Sequence, residues 1–331
     1  MRDVAALAGV SAKTVSRVYN DHPHVTAETR ERVDAALREL SYVPNTIATT
    51  FRTGRAPVIG VAVPDITDPL FASIARAAED LARTRGMSVV ITSIGVKPER
   101  EVGVVQALLS QPLSGLIIAP VSADHRYLAA WAERMPVVFV DRQPVGLAAD
   151  SFTEDDVAGA RLATTHLIDH GHTRVGFIGD DATITTSRKR LQGYRDALTD
   201  AELPYSEELV AFGAFDRSGA AAAIAAIDGG GPRPTALFCS NARSAISLVP
   251  FVRSSGLALT TFGDFPLADM LRPAWTYVDQ DPHRLGTLAA RRVLDRLDRP
   301  SGRYRRRTVL PVPLVERSSC DVDIRLTAEA A

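Results

Sequence analysis

Lys13, Ser16 and Arg17 stand in one short segment whose apolar residues, Val15 and Val18, fall on a different face at helical spacing. A helix about 12 Å across fits the DNA major groove, where Arg donates two bonds to guanine and Lys or Ser reaches a base or phosphate. The same spacing also describes a helical hairpin with a solvated charged face, and periodicity does not choose between them. His166, His170 and His172 invite a metal, the first two being i,i+4, but no carboxylate, further His or Cys sits at a spacing that completes a site. Neither Cys239 nor Cys320 has a C-x-x-C or nearby His partner, and no chemistry is assigned to them. There is no G-x-x-x-x-G-K-[ST] run, Gly176-x-x-Gly179 belongs to a strand, and no nucleophile is paired with a base. Neither an enzyme nor a bound cofactor is expected.

The elements that must position these residues begin with a small helical head. Val4, Leu7 and Ala8 repeat at helical spacing up to Gly9, Ser11 stands as the N-cap of a second helix, and a third starts at Thr26-x-x-Thr29 with Glu28 one place early for a capping box. Val33, Ala36, Leu37 and Leu40 give that third helix its apolar stripe, and residues 1–44 form one domain. Residues 45–57, between Pro44 and the Gly54-Arg55-Ala56-Pro57 breaker, read as a hinge and linker with one marginal helical stretch. From Val58, short apolar runs alternate with helical patterns, which predicts an α/β body of two doubly wound parallel-sheet lobes with a cleft between them. The expected division is about 58–148 and 281–304 for lobe one, and about 149–280 and 305–323 for lobe two.

Composition narrows the classes. The 331 residues are 46% apolar, enough for large cores, and the longest apolar runs fall far short of the ~20 residues that span a bilayer. No basic start followed by an apolar stretch marks a secretory leader, so the expected location is the cytoplasm. The net charge is −1, so a nucleic-acid contact must come from a local surface; residues 1–55 carry eight basic and six acidic side chains. Arg303, Arg305, Arg306 and Arg307 read as a solvated loop rather than a second such surface.

Asp3-Val4-Ala5-x-x-Ala8-Gly9-Val10-Ser11-x-x-Thr14-Val15-Ser16-Arg17-Val18-x-Asn20, continued by Val25-Thr26-x-x-Thr29-Arg30-x-x-Val33 and Tyr42-x-Pro44-Asn45, closely resembles the head of the lactose-repressor (LacI/GalR) family. The likeness runs on through Val63-Pro64-Asp65-Ile66-x-Asp68-Pro69-x-Phe71, Val140-Asp141-Arg142, Asp155-Asp156-x-x-Gly159-Ala160 and Arg190-Leu191-x-Gly193-Tyr194. It implies a sequence-specific transcriptional regulator, a repressor, whose second helix reads the major groove. Ala12, Lys13 and Arg17 then occupy the base-reading positions, and Thr14, Ser16 and Asn20 hold phosphates. In the linker the family's minor-groove Leu is replaced by Phe51, and Thr49 stands where an Arg is usual; Phe51 serves either as a wedge between base steps or as an anchor packed on the body. The family pattern also places a helix-capping Thr ahead of Asp3, an expectation of a longer start.

The resemblance likens the body to periplasmic sugar-binding proteins and implies effector contacts from Arg190, Asn241, Asp65 and Phe71. A carboxylate of the family pattern is missing at Gly263 and another at Ala242, so either Asp264 substitutes, the effector is not an ordinary sugar, or induction is lost. A cleft with donors and few acceptors favours a sugar acid or phosphorylated sugar over a neutral one. Arg190 has an alternative reading as a surface charge paired with a neighbour. The expected partners are a palindromic operator, bound by a homodimer through shared two-fold symmetry, and a small-molecule effector. A solute-binding module without DNA regulation is the rival, opposed by the intact head.

Overall fold

The computed structural model describes residues 1–19, 22–40, 57–229, 231–252 and 255–320, and divides into two compact units, Met1–Ala56 and Pro57–Ala331. In the first, α1 (Arg2–Ala8), α2 (Ala12–Tyr19) and α3 (Ala27–Glu39) enclose Val4, Ala8, Val15, Val18, Val33 and Ala36. Gly9, at φ 62°, supplies the left-handed turn that stops α1. Ser11 caps α2 by accepting the Thr14 N–H at 3.1 Å. Thr26 caps α3, accepting the Thr29 N–H at 3.3 Å and donating its hydroxyl to Thr29 Oγ1 at 2.8 Å, so Thr29 takes the place of the absent acidic partner. Arg32 of α3 donates to the carbonyls of Ala8 and Gly9 at 2.5 and 3.3 Å and ties down the turn before α2. The stripe of α3 stops short of Leu40, which is exposed.

The second unit contains β1 (Val58–Val63), α4 (Pro69–Arg83), β2 (Ser88–Ser93), α5 (Pro98–Leu109), β3 (Gly115–Ile118), α6 (Ala129–Ala132), β4 (Val137–Val140) and β5 (Asp150–Glu154). There follow α7 (Asp156–Asp169), β6 (Val175–Ile178), α8 (Thr185–Asp200), β7 (Val210–Ala211), α9 (Arg217–Gly229), β8 (Ala236–Cys239), α10 (Ala242–Val252) and β9 (Ala258–Phe262). The chain ends its described course with β10 (Thr276–Val278), α11 (Pro282–Asp298), β11 (Arg307–Leu310) and β12 (Leu314–Val315). Two six-stranded sheets result, ordered β11-β5-β4-β3-β1-β2 and β12-β10-β9-β8-β6-β7, parallel except where β12 meets β10. Helices cover both faces, which is why β1, β3, β4 and β8 are near-continuous apolar runs. In the first sheet Ile59, Val61 and Ile117 pack against α4 and α11, while Ala62, Leu116 and Ile118 pack against α5.

The lobes exchange chain later than the sequence pattern predicts. β5 pairs with β4 and β11, so residues 150–154 and 307–310 belong to lobe one, not lobe two. β5 reads Asp-Ser-Phe-Thr-Glu and lacks an apolar run, yet it is wholly buried. Its Asp150 is satisfied by Arg296 of α11 at 2.5 and 2.9 Å and by Arg292 at 3.2 Å, partners that local spacing does not reveal. The crossing segments are bonded together: Asp155 N–H donates to Leu310 O at 3.0 Å, and Asp279 N–H to Pro313 O at 2.8 Å. Among the described residues, no helix is long and apolar enough to cross a membrane.

Candidate functional site

α2 buries Val15 and Val18 and turns its other residues outward: Ala12, Lys13 and Arg17 are exposed, Thr14 and Ser16 half-buried. The exposed guanidinium and ammonium are free to enter a groove, whereas the Thr14 hydroxyl is engaged with Ser11 Oγ at 2.9 Å. Asn20, Thr49, Phe51 and residues 45–56 of the expected hinge lie outside the described residues.

In the body, a cavity of about 540 Å³ lies between the loops that follow β3 and β4 in lobe one and the start of α8 in lobe two, the position where open α/β sheets take ligands. Its lobe-one wall is fixed by buried groups. Glu101 of α5 accepts the N–H groups of Val121 and Ser122 at 2.5 and 2.8 Å and the hydroxyls of Ser122 and Tyr127 at 2.7 and 2.8 Å. His125 Nδ1 accepts the Val145 N–H at 2.8 Å, which leaves Nε2–H to donate to Ser122 O at 3.1 Å. One neutral imidazole thus joins two loops, and burial holds it below the usual histidine pKa.

None of Asp65, Phe71, Arg190, Asn241 and Asp264 is among the residues lining this cavity. Phe71 is 5% exposed and belongs to the lobe-one core, so it offers no ligand surface there. Asp264 is held by Arg317 through two bonds of 3.0 and 2.8 Å. Asn241 caps α10, accepting the Ser244 N–H at 2.8 Å. Asp65 of lobe one meets Arg243 of α10 at 3.4 Å, a bridge between the lobes. Against its partial burial, hydrogen bonds from Thr67 and the Arg243 charge keep Asp65 below its ordinary pKa. Arg190 is buried: its Nε donates to Asp156 Oδ1 at 2.9 Å, its Nη1 to Ser240 O at 2.8 Å, and its plane lies 3.8 Å from the Phe262 ring centroid.

Three carboxyls that sequence reasoning missed are buried in the body, Asp141, Glu154 and Asp156, and of these Asp141 alone is in the cavity lining. Burial, then the neighbouring Asp141 and Asp156, push Glu154 well above the carboxylate range. Its Oε1 accepts from Gln280 Nε2 at 3.1 Å, while Oε2 has no hydrogen-bond partner among the described residues. Gly263 is the other half of this arrangement. At φ 92° it stands where an added Cβ would lie 2.4 Å from Gln280 Oε1, so Gln280 fills the space of the missing side chain. Asp68, which caps α4, is pushed to about 6 by burial and by Asp141 and Asp180.

His170 Nδ1 donates to the His166 carbonyl at 2.8 Å, and His172 Nδ1 meets Thr235 Oγ1 at 2.9 Å. Among the described residues, no group of three or more His, Cys, Asp or Glu is placed to hold a metal ion.

A helix-turn-helix head and a two-lobed body with a cleft at its strand ends define a class of ligand-responsive DNA-binding proteins. Residues 1–45 match the bacterial regulatory proteins of the lacI family, and residues 164–320 match a periplasmic binding protein-like domain. The chain is 33% identical over 297 residues to the HTH-type transcriptional regulator GalR of Salmonella typhimurium, covering 88% of this chain and 87% of that protein. It is 29% identical over 326 residues to the ribose operon repressor of Haemophilus influenzae, covering 96% and 98% of the two chains. Among solved structures it resembles the lac repressor dimer bound to operator and the anti-inducer ONPF, with TM-score 0.83, 28% identity and coverage of 96% and 98%. The chain belongs to the LacI family of transcriptional regulators, and its fold is that of the lac repressor.

Proposed function

We propose that the chain represses transcription in the cytoplasm as a homodimer on a palindromic operator, and that a small molecule held between its body lobes changes its affinity for DNA. The observation that carries the reading is the division of α2 into a buried Val15/Val18 face and an outward Ala12, Lys13 and Arg17 face, joined in one chain to a cleft-bearing body. Arg17 and Lys13 read bases, Ala12 contacts the groove, and Thr14, Ser16 and Asn20 hold phosphates. Phe51 enters the minor groove.

Two-fold symmetry in the protein demands it in the operator. β2 is the outermost strand of the first sheet and leaves Val90 and Ile91 at 40% and 41% exposure, apolar surface that a second copy covers. In the body, the effector occupies the cavity between the loops that follow β3 and β4 and the start of α8, while Asp65 and Asn241 act on the lobes and Arg190 braces Asp156 and the Ser240 carbonyl. An effector acts by favouring one lobe arrangement over the other, which changes whether both heads fit the operator. The test is a thermal-shift screen of metabolites on the full chain, followed by DNA binding with each hit. A hit that raises Tm and alters DNA affinity supports the reading; stabilising hits that leave DNA affinity unchanged contradict it.

A further inference from the structure

The charge lining the cleft is unequal. Arg142, Arg188, Lys189 and Arg307 face the cavity against one carboxylate, Asp141. Two of the cations are already answered: Arg142 meets Asp141 at 3.1 Å, and Lys189 meets Asp156 at 3.4 Å. Arg188 donates to Thr183 O at 2.9 Å and to Thr185 Oγ1 at 3.4 Å, both neutral. Neither Arg188 nor Arg307 is ion-paired among the described residues, and both are exposed. They come from opposite lobes: Arg307 from β11, an edge strand of the first sheet, and Arg188 from α8.

From this we infer that the effector is a sugar-sized molecule carrying a phosphate or carboxylate, and that its anionic group sits between Arg188 and Arg307. The inference rests on the reading of this cavity as the effector site. Two guanidinium groups sharing one cavity repel each other weakly when it holds only water. An anion between them replaces repulsion with two charge-assisted contacts, for which the planar donor fork of Arg suits phosphate and carboxylate. Because one arginine rides on each lobe, the anion also binds best to the lobe arrangement that lets both reach it. Ligand charge is thereby coupled to lobe closure. The buried carboxyls do not oppose this: Asp156 is spent on Arg190 and Lys189, and Glu154 is buried and outside the cavity lining.

The test is calorimetry on the full-length protein with glucose, ribose, gluconate, glucose 6-phosphate, ribose 5-phosphate and inorganic phosphate, using wild type, Arg188→Gln, Arg307→Gln and the double variant. At least one anionic sugar is expected to bind at least tenfold tighter than its neutral counterpart and than inorganic phosphate. Each single variant is expected to lose about tenfold for it, and near-native Tm values for the variants confirm that they fold. A neutral sugar binding as tightly as its charged form overturns the inference while leaving the effector reading intact. So does inorganic phosphate matching the sugar phosphate, unchanged affinity in the double variant, or no binding by any anion at millimolar concentration. Failure of the effector reading is a different result: no metabolite of either charge alters DNA binding.

Discussion

Arg190 and Asp156 form a buried pair: Nε lies 2.9 Å from Oδ1, and the same guanidinium reaches the Ser240 carbonyl at 2.8 Å. The pair joins the start of α7 to α8 and the end of β8. Burial raises the Asp156 pKa despite the opposing charges of Arg190 and Lys189, so removing Arg190 leaves a buried carboxyl answered by Lys189 at 3.4 Å.

Arg190→Ala is therefore expected to cost about 3–5 kcal/mol of body stability in urea denaturation. Arg190→Lys recovers only part of this, because an ammonium lacks the planar fork that serves Asp156 and Ser240 together. Unchanged stability with reduced ligand affinity would make Arg190 a ligand donor rather than a floor beam.

Asp68 gives a pH signature. Its folded pKa of about 6 lies above the ordinary 3.8, so the folded state holds the proton more tightly than the unfolded chain does. Stability from this group is greatest below pH 4 and is lost as pH rises to about 6, a change of about 3 kcal/mol at most. Asp68→Asn keeps the helix cap and removes the charge. Denaturation at pH 4 and 7.5 is expected to show the variant gaining about 1–3 kcal/mol over wild type only at the higher pH; an equal effect at both would refute the shift.

His125 acts with the opposite sign. Burial lowers its folded pKa, so the unfolded chain takes up the proton first and stability falls as pH drops below about 6.5. Protonation at Nδ1 also breaks the bond from the Val145 N–H. His125→Gln is expected to be less stable at pH 7.5 and to lose less on going to pH 5.5. His172, lowered by burial and by His170, contributes a slope that this variant retains.

Gly263→Asp is expected to destabilise the body by about 1–3 kcal/mol without gaining affinity for neutral sugars. The backbone at φ 92° disfavours a side chain, and Gln280 Oε1 stands 2.4 Å from the new Cβ. Tight sugar binding by a stable variant would show that Gln280 gives way.

What the sequence revealed and concealed follows from the range of each interaction. Val15 and Val18 lie three residues apart, and Ser11 caps Thr14 at the same distance, so the reading helix is written locally. β5 is not, because Asp150 becomes a core residue through Arg296, 146 positions away, and Arg292 beside it on α11. The buried carboxyls likewise find partners distant in sequence: Asp156 meets Arg190 at a separation of 34, and Glu154 meets Gln280 at 126. Gly263 reads in the sequence as a missing acceptor, and no spacing rule announces that Gln280 occupies the space beside it.

The head is proposed to read DNA sequence through α2. The most direct test is selection of binding sites from a random duplex pool with the full-length chain, followed by anisotropy titrations of wild type and Arg17→Ala at fixed salt. An inverted repeat is expected to be enriched, with Arg17→Ala costing about 1–3 kcal/mol on that site and little on random DNA. No enriched sequence, or equal losses for Arg17→Ala on selected and random DNA, would contradict it.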